Sequence, residues 1–334
     1  MEQKRGQASK EGFKMWGLKI RMYLLTAILF AIIYAIISAI SYSLGISNFY
    51  FYLVLSLVIM FIQYMLGPKL VEWSMRVRYI GENEHPELHQ MVRELAGRAK
   101  LPVPRIGIAQ ISVPNAFAFG RTKADGRICV TEGIMGLLSK DELKAVLGHE
   151  MTHIKNRDVL TITLLSVIPM ILYRIAWQFL FFGGRRDRSS SNTVLIGVAA
   201  FLFYFITNLL VLYGSRIREY FADKGSVELG NQPSYLASAL YKLVYGSARM
   251  PKEAIKDVEG MKAFFANDPS RALAEFNELK ELDLDKSGTI SSQELGALHN
   301  RNIKLNFQDR MLELLSTHPN MLKRIKRLSE WKSA

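Results

Sequence analysis

The chain has 334 residues, 49% of them hydrophobic against 22% charged, and a mean hydropathy of +0.09, more apolar than a soluble protein of this size needs. Its 43 Lys and Arg stand against 30 Asp and Glu, and the single cysteine, Cys129, excludes an internal disulfide and with it the stapled secreted scaffolds. Intrinsic disorder is excluded too, because aromatics make up 11% of the chain and the apolar residues cluster in long blocks.

Residues 1–21 form a basic arm, with Lys4, Arg5, Lys10, Lys14, Lys19 and Arg21 against Glu2 and Glu11. Lys and Arg favour the cytoplasmic flank of a membrane span, which places this arm inside. From Met22 to Pro68 no residue is charged over 47 positions. A hydrocarbon core takes roughly 20 helical residues, so residues 22–68 predict a transmembrane hairpin with Gly45-Ile-Ser-Asn48 as its turn. The first run exceeds a signal-peptide core and lacks a small-residue cleavage site, so it is expected to remain as an anchor. Two crossings return Lys69 to the cytoplasm.

Residues 69–158 read as helix, strands, helix. An amphipathic run from His85 to Lys100 is followed by the strand-like Arg105-Ile-Gly-Ile-Ala-Gln110, Ala116-Phe-Ala-Phe119 and Arg127-Ile-Cys-Val130. Ser139 and Glu142 have capping-box spacing ahead of Leu143, Val146 and Leu147, so a helix is expected to start there. That helix carries His149-Glu-Met-Thr-His153. Residues four apart share a helix face, so His149 and His153 can grip one zinc ion from adjacent turns, and Glu150 is placed to take a proton from bound water. Two capping or solvated histidines are the bland alternative until a third ligand is found.

A second apolar region covers residues 159–215, interrupted by Arg174 and by Gly184-Arg-Arg-Asp-Arg-Ser189. Its half from Ser189 to Ser215 is again uncharged, whereas its first half offers only 15 uncharged residues before Arg174 and contains Pro169. Residues 216–334 then open on Arg216-Ile-Arg-Glu219-Tyr-Phe-Ala-Asp223. A helix there shows Glu219 and Asp223 to one site, Glu219 as third zinc ligand and Asp223 accepting a hydrogen bond from a ligand histidine. The alternative is a solvated acid pair with Arg216 and Arg218. Because the histidines precede residues 159–215 and Glu219 follows them, a shared metal requires zero or two crossings in that region. Two crossings are preferred over a buried hairpin.

Residues 283–294 match the twelve-residue EF-hand loop. Asp283, Asp285, Ser287 and Ser291 supply oxygens at positions 1, 3, 5 and 9, Thr289 a carbonyl, Gly288 the sharp turn, and Glu294 the bidentate ligand at position 12. Helical flanks are expected over 272–282 and 293–298, within an insertion of about residues 270–300. Calcium binding is preferred over a solvated acidic turn.

The stretches His149-Glu-Met-Thr-His153 with Asn156-Arg-Asp158, Ser215-Arg-Ile-Arg-Glu-Tyr-Phe-Ala-Asp223, and Ser316-Thr-His-Pro319 before Arg324-Ile-Lys-Arg-Leu328 together resemble the HtpX-type membrane zinc metalloproteases, in the same broad group as the CAAX prenyl proteases. The resemblance covers most of the chain and includes the order of anchors, protease core, hydrophobic hairpin and third ligand. It implies an α+β, mostly helical fold: a gluzincin-like zinc metalloprotease core with about four transmembrane or membrane-embedded helices. It implies His149, His153 and Glu219 as zinc ligands, Glu150 as general base and Asp223 as the support of His149. It further implies Asn115, beside an edge strand that holds extended substrate, as an orienting residue. By the same resemblance His318 donates to the oxyanion, with a helix-start role for Thr317-His-Pro equally open. The calcium loop is a departure from the family pattern.

The sequence is accordingly read as an integral, multi-pass protein, in the cell membrane, with its active site facing the cytoplasm. It is expected to be a zinc endopeptidase cutting membrane or misfolded proteins, possessing a calcium loop that stabilises or gates the catalytic domain. The alternatives are a CAAX-type prenyl-protein endopeptidase and a non-enzymatic calcium-sensing membrane scaffold with structural zinc. The basic arm and the basic tail (Lys323, Arg324, Lys326, Arg327, Lys332) are read as topology signals and attraction to the lipid bilayer. No nucleic-acid recognition module accompanies the charge, so nucleic acid is not an expected partner. Cys129, in a strand-like run without a basic partner, is not a nucleophile.

Overall fold

The computed structural model describes residues 49–158, 190–257, 269–299 and 307–331, with single positions in between such as Leu172, Ala176 and Phe265. The basic arm, the first helix of the expected hairpin, its turn at residues 45–48 and the polar segment 184–189 lie outside the described residues. The chain divides into two compact units, residues 1–63 with 161–217, and residues 64–160 with 218–334.

In the first unit the described residues are helical. Helix α1 (Phe49–Ser74) begins there and continues past Pro68 into the second unit, beyond the end expected at residue 68. A later helix, Ser190–Glu228, includes Val194–Glu228, the one stretch among the described residues long and apolar enough to cross a membrane. Only 22% of its most apolar window is buried, and Leu195, Val198, Phe201, Leu202 and Phe205 are exposed. A soluble core helix hides such side chains; this one leaves them exposed.

The second unit is built on a four-stranded sheet. Its strands are β1 (Val77–Tyr79), β2 (Arg105–Ala109), β3 (Ala116–Phe119) and β4 (Arg127–Thr131), in the order β1-β2-β4-β3. β2 and β4 run parallel, with Arg105 opposite Arg127, while β1 pairs antiparallel to β2 and β3 antiparallel to β4. The expected three strands are present within a residue. β1 is not among the expected strands, because three residues, although Val-Arg-Tyr alternates, are too few for the alternation to stand out. β4 is buried along its whole length, and β3 is left at an edge.

Helices cover this sheet. α2 (Pro86–Ala99) starts with Pro at its first turn, buries Leu88, Val92, Leu95, Ala96 and Ala99 at helical spacing, and stops at Lys100 in the left-handed conformation. After α3 (Glu132–Leu137) comes α4 (Lys140–Asn156), which packs on α2, β3 and β4. Its capping box forms as expected, Ser139 N–H donating to Glu142 Oε2 at 2.7 Å while Ser139 Oγ accepts from Glu142 N–H. The long helix Ser190–Glu228 is α5, and α6 (Pro233–Ala248) follows, its Ser238 hydroxyl and Lys242 ammonium both reaching Glu142 at 2.6 and 2.8 Å. The capping carboxylate therefore ties α4 to α6 as well as starting it. Burial alone would raise its pKa, but Lys242, Ser238 and the Ser139 N–H outweigh that and hold it below the usual carboxylate range.

The rest is short helices: α7 (Lys252–Asp257), α8 (Ala272–Leu279), α9 (Ser292–His299), α10 (Phe307–Leu314) and α11 (Met321–Leu328). α8, α9 and α11 pack on α6 through Leu279, Leu295, Leu298, Met321, Ile325 and Leu328, all buried in one core. The basic tail departs from its reading as a lipid-facing surface. Arg324 is buried, Lys323 pairs with Glu313, Lys326 donates to the carbonyls of Leu298 and His299 at the end of α9, and Arg327 lies 4.6 Å over the Tyr220 ring. Of that tail only Lys332 lies outside the described residues.

Candidate active site

The helix carrying the two histidines meets α5 at a pair of glycines. A Cβ on Gly225 would sit 2.3 Å from Thr152 Cγ2 and Oγ1, and one on Gly148 would sit 2.4 Å from Asn231 Nδ2, so neither position has room for a side chain. Ser226 Oγ then donates to Ala145 O at 2.6 Å across the crossing. This contact brings Glu219 and Asp223 of α5 against His149 and His153 of α4.

The donor atoms converge. His149 Nε2 and His153 Nε2 are 3.1 Å apart, Glu219 Oε2 is 3.4 Å from the first and Glu219 Oε1 is 3.5 Å from the second. Zinc bonds of about 2.0–2.1 Å at tetrahedral angles put ligand atoms about 3.3 Å apart, a spacing close to these three distances. A carboxylate oxygen of Glu150 lies within 4.8 Å of a ring nitrogen of each histidine. Each imidazole is held from behind, His149 Nδ1 by Asp223 Oδ1 at 2.9 Å and His153 Nδ1 by Asp158 Oδ2 at 2.6 Å. Each of those carboxylates meets a buried guanidinium, Arg324 on Asp223 and Arg218 on Asp158.

The site is rich in buried charge. Glu150, Asp158, Glu219 and Asp223 are all buried, with Arg218 against Asp158 and Arg324 against Asp223 and Glu219. Glu219 Oε2 is buried and stands 3.4 Å from His149 Nε2 and 3.2 Å from Arg324 Nη1. Burial alone would lower the His149 imidazole, but its bonds to Asp223 and Glu219 outweigh that and push its pKa up to about 10. The donor set, two imidazoles whose Nδ1 atoms are already engaged and the Glu219 carboxylate beside them, fits a metal ion.

Burial raises the Glu150 carboxyl above the usual range; the charges of His153 and His149 and the backbone N–H of Ala118 oppose the rise without cancelling it. A carboxyl raised in this way accepts a proton more readily near neutral pH. Ala118 belongs to edge strand β3, which ties that strand to Glu150. Asn115, immediately before β3, is fully buried; its N–H donates to Thr131 Oγ1 at 2.8 Å and its carbonyl accepts from Thr131 N–H at 2.9 Å. His318 is buried; burial first, then the charges of Arg324, His153 and His149, hold its ring below the usual value against the pull of Glu219. It does not begin a helix, since Asn320 is the N-cap of α11, accepting from Leu322 N–H at 2.9 Å. A cleft with about 260 Å³ of empty space opens beside His153, lined by Phe119, Arg121, Thr122, Ile154, Arg157 and Asp158.

The second acidic group, Asp283, Asp285 and Glu294, brings its carboxylate oxygens within 4.8 Å of one another between α8 and α9. Gly288 has φ +80°, the left-handed turn expected of the loop. Asp283 Oδ1 and Oδ2 accept from Ser287 N–H at 2.9 Å and Gly288 N–H at 2.8 Å, Glu294 Oε1 and Oε2 from Leu284 N–H at 2.6 Å and Ser291 N–H at 2.9 Å. Ser287 and Thr289 turn their hydroxyls to each other at 2.9 Å, and Ser291 Oγ donates to Glu294.

Residues 82–332 match the family model described as "Peptidase family M48". The chain belongs to that family. The M48 chain is 52% identical over 244 residues to a protease HtpX homolog of Methanothermobacter thermautotrophicus, covering 73% of this chain and 91% of that one. A protease HtpX homolog of Moorella thermoacetica is 39% identical over 255 residues, covering 75% and 84%. The crystal structure of S. mikatae Ste24p aligns over 95% of this chain and 67% of that one at 18% identity, with a TM-score of 0.49. As an HtpX-like member of M48, the protein is a membrane-associated metalloprotease, a hydrolase whose substrates are proteins and whose family uses zinc.

Two partners of this M48 site were missed in the sequence. Asp158 stands in a matching stretch without a role having been read for it, although its position just past the left-handed Arg157 that ends α4 is a signal that the chain folds back there. Arg324 was hidden by its basic neighbours.

Proposed function

We propose that the protein is an integral membrane, zinc-dependent endopeptidase in which His149, His153 and Glu219 hold the metal and Glu150 is the general base. The observation that carries this is the convergence of His149 Nε2 and His153 Nε2, 3.1 Å apart, on the buried Glu219 carboxylate, whose two oxygens lie 3.4 and 3.5 Å from them, in an M48 chain. Zinc held there supplies a Lewis acid and lowers the pKa of a bound water to roughly 7.

The chain's own groups do the rest. Glu150 takes the proton of the attacking water on a carboxylate oxygen and passes it to the leaving amine. Asp223 and Asp158 keep Nδ1–H of their histidines occupied, which leaves each Nε2 free for the metal. An extended substrate adds to the free edge of β3, with Asn115 orienting the residue at the scissile bond and the cleft beside His153 receiving a substrate side chain. Thr317 Oγ1 lies 2.9 Å from His318 Nδ1; with that hydroxyl as donor, the ring proton sits on Nε2, where it stabilises the developing oxyanion.

In this reading residues 1–21 are cytoplasmic, residues 22–68 and 159–215 form two hairpins in the cell membrane, and residues 69–158 and 216–334 make a gluzincin-like core facing the cytoplasm. Substrates are membrane proteins or their misfolded cytoplasmic segments. The exposed apolar face of α5 supports the membrane assignment. Calcium held by Asp283, Asp285, Ser287, Thr289, Ser291 and Glu294 steadies the α8–α9 pair against α6. Tyr241 of α6 touches Asp283 at 3.3 Å, which connects that loop to the catalytic core.

Cleavage of casein by detergent-purified wild type and Glu150→Gln, with zinc measured on both, tests the reading. Wild type cuts, the variant loses turnover by about 10²–10⁴-fold or more, and both hold about one zinc. Zinc on both with equal activity would leave Glu150 outside the reaction. Zinc on both with no cleavage of any unmodified protein turns the assignment toward lipidated C-terminal substrates.

A further inference from the structure

Arg324 has no exposed side-chain surface, which is a costly place for a guanidinium. Helix α11 does not need it for docking. Met321, Ile325 and Leu328 bury the apolar face of that helix, and Lys326 fastens it to the last carbonyls of α9. What Arg324 does need is Asp223. Its Nε donates to Asp223 Oδ2 at 2.9 Å and its Nη2 to Asp223 Oδ1 at 2.6 Å, a fork that fixes the plane of the carboxylate, while Nη1 stands 3.2 Å from Glu219 Oε2. Asp223 Oδ1 is also the oxygen that meets His149 Nδ1 at 2.9 Å. One oxygen is thus shared between the arginine and the histidine, and the direction of the imidazole follows from the direction of the fork.

We propose that Arg324 is a positioning residue of the metal site, acting through Asp223 to aim His149 Nε2, so that tight zinc binding requires α11 to be docked. The inference rests on the zinc reading above. It gives the C-terminal helix a part in the site that lies 175 residues before it in sequence. Lysine cannot replace the function, because a single ammonium supplies the charge without the two-toothed grip.

The test measures zinc affinity by chelator competition on full-length protein in detergent, alongside the melting temperature of the zinc-free form. Wild type, Arg324→Lys, Arg324→Gln, Asp223→Asn and the Arg324→Gln/Asp223→Asn double variant are compared. Arg324→Gln and Asp223→Asn are each expected to weaken zinc about 10- to 100-fold, and the double variant no more than Asp223→Asn alone. Arg324→Lys is expected to melt near wild type, bind zinc about tenfold more weakly, and give an altered visible spectrum with cobalt in place of zinc. Should Arg324→Gln not fold, the lysine variant decides by itself. Unchanged zinc affinity and cobalt spectrum in a folded Arg324 variant overturn the proposal, and so do losses that add in the double variant. Wild type that holds no zinc overturns instead the zinc reading on which it stands.

Discussion

His149, Glu150 and His153 gather their donor atoms within 4.8 Å of one another, and Asp283, Asp285 and Glu294 do the same at the other cluster. The difference lies in where the remaining hydrogen-bonding capacity goes. Around the histidines each supporting group faces outward: the carboxylates of Asp158 and Asp223 turn to the rings and to the arginines behind them. The inner atoms, His149 Nε2, His153 Nε2 and the Glu219 oxygens, turn to one another. In the acidic loop the carboxylates of Asp283 and Glu294 accept from backbone N–H groups of the loop itself. The first cluster turns buried ligand atoms toward one another, whereas the carboxylates of the second are already engaged by the N–H groups of their own loop. Proximity of ligand atoms does not separate these cases; burial and the fate of each lone pair do.

The strongest way to break this contrast is to remove each metal in turn. Stripping zinc at neutral pH should abolish casein cleavage. Zinc present at about a thousand times its dissociation constant contributes about 4 kcal/mol, on the order of 10 °C in melting temperature for a unit of this size. Chelating calcium alone should move the melting temperature by a few degrees at most, with zinc still bound. Calorimetry of the two chelated forms decides it; an equal or larger shift on calcium removal would reverse the assignment of which cluster the fold depends on.

Next in size is the support behind His153. Asp158→Asn keeps shape and loses the charge that holds Nδ1–H, and should weaken zinc about 10- to 100-fold by chelator competition. Asp285→Asn, in the exposed part of the loop, should leave zinc untouched. A zinc affinity unmoved by Asp158→Asn would mean that the 2.6 Å contact is incidental to the metal site.

Much of the catalytic unit was legible before any coordinates, and the reasons are local. The capping box Ser139–Glu142 and the apolar spacing behind it fixed α4, and four-residue spacing put His149 with His153 and Glu219 with Asp223 on common faces. Three strands were readable from short apolar runs, while β1, too short for its alternation to stand out, was not. Arg324 was illegible for a different reason. Its neighbours Lys323, Lys326 and Arg327 make a basic stripe, and no periodicity says which cation of a stripe turns inward to an acid on another helix. The glycine crossing was equally silent: Gly148 and Gly225 become informative only once both helices are in place.

That crossing gives a smaller effect. Gly225→Ala puts a methyl within 2.3 Å of Thr152, so α4 and α5 must part, at a cost of about 1–3 kcal/mol and with weaker zinc binding because the third ligand moves with α5. Gly288→Ala imposes φ +80° on a residue with a Cβ and should cost about 1 kcal/mol without any change in zinc. Thermal melts with zinc titration separate the two, and a Gly225→Ala protein that binds zinc as tightly as wild type would show that the crossing tolerates more than its spacing suggests.

The smallest effect is the pH dependence of the acidic loop. Burial alone would raise the Glu294 carboxyl, but the Ser291 N–H and hydroxyl and the Leu284 N–H outweigh it and hold the pKa below the usual carboxylate range; the Ser287 hydroxyl and N–H do the same for Asp285. A carboxyl lowered in the folded state contributes stability above its unfolded value of about 4.3, and that contribution is lost as pH falls through the lower folded value. Calcium meets carboxylates that are already ionised at neutral pH. The shift in melting temperature on adding millimolar calcium should accordingly be flat from pH 8 down to about 5 and fade only below about 4. A calcium response that declines between pH 7 and 6 would place a different, neutral-range group in the loop's cation site, and no response at any pH would leave the loop standing on its backbone hydrogen bonds alone.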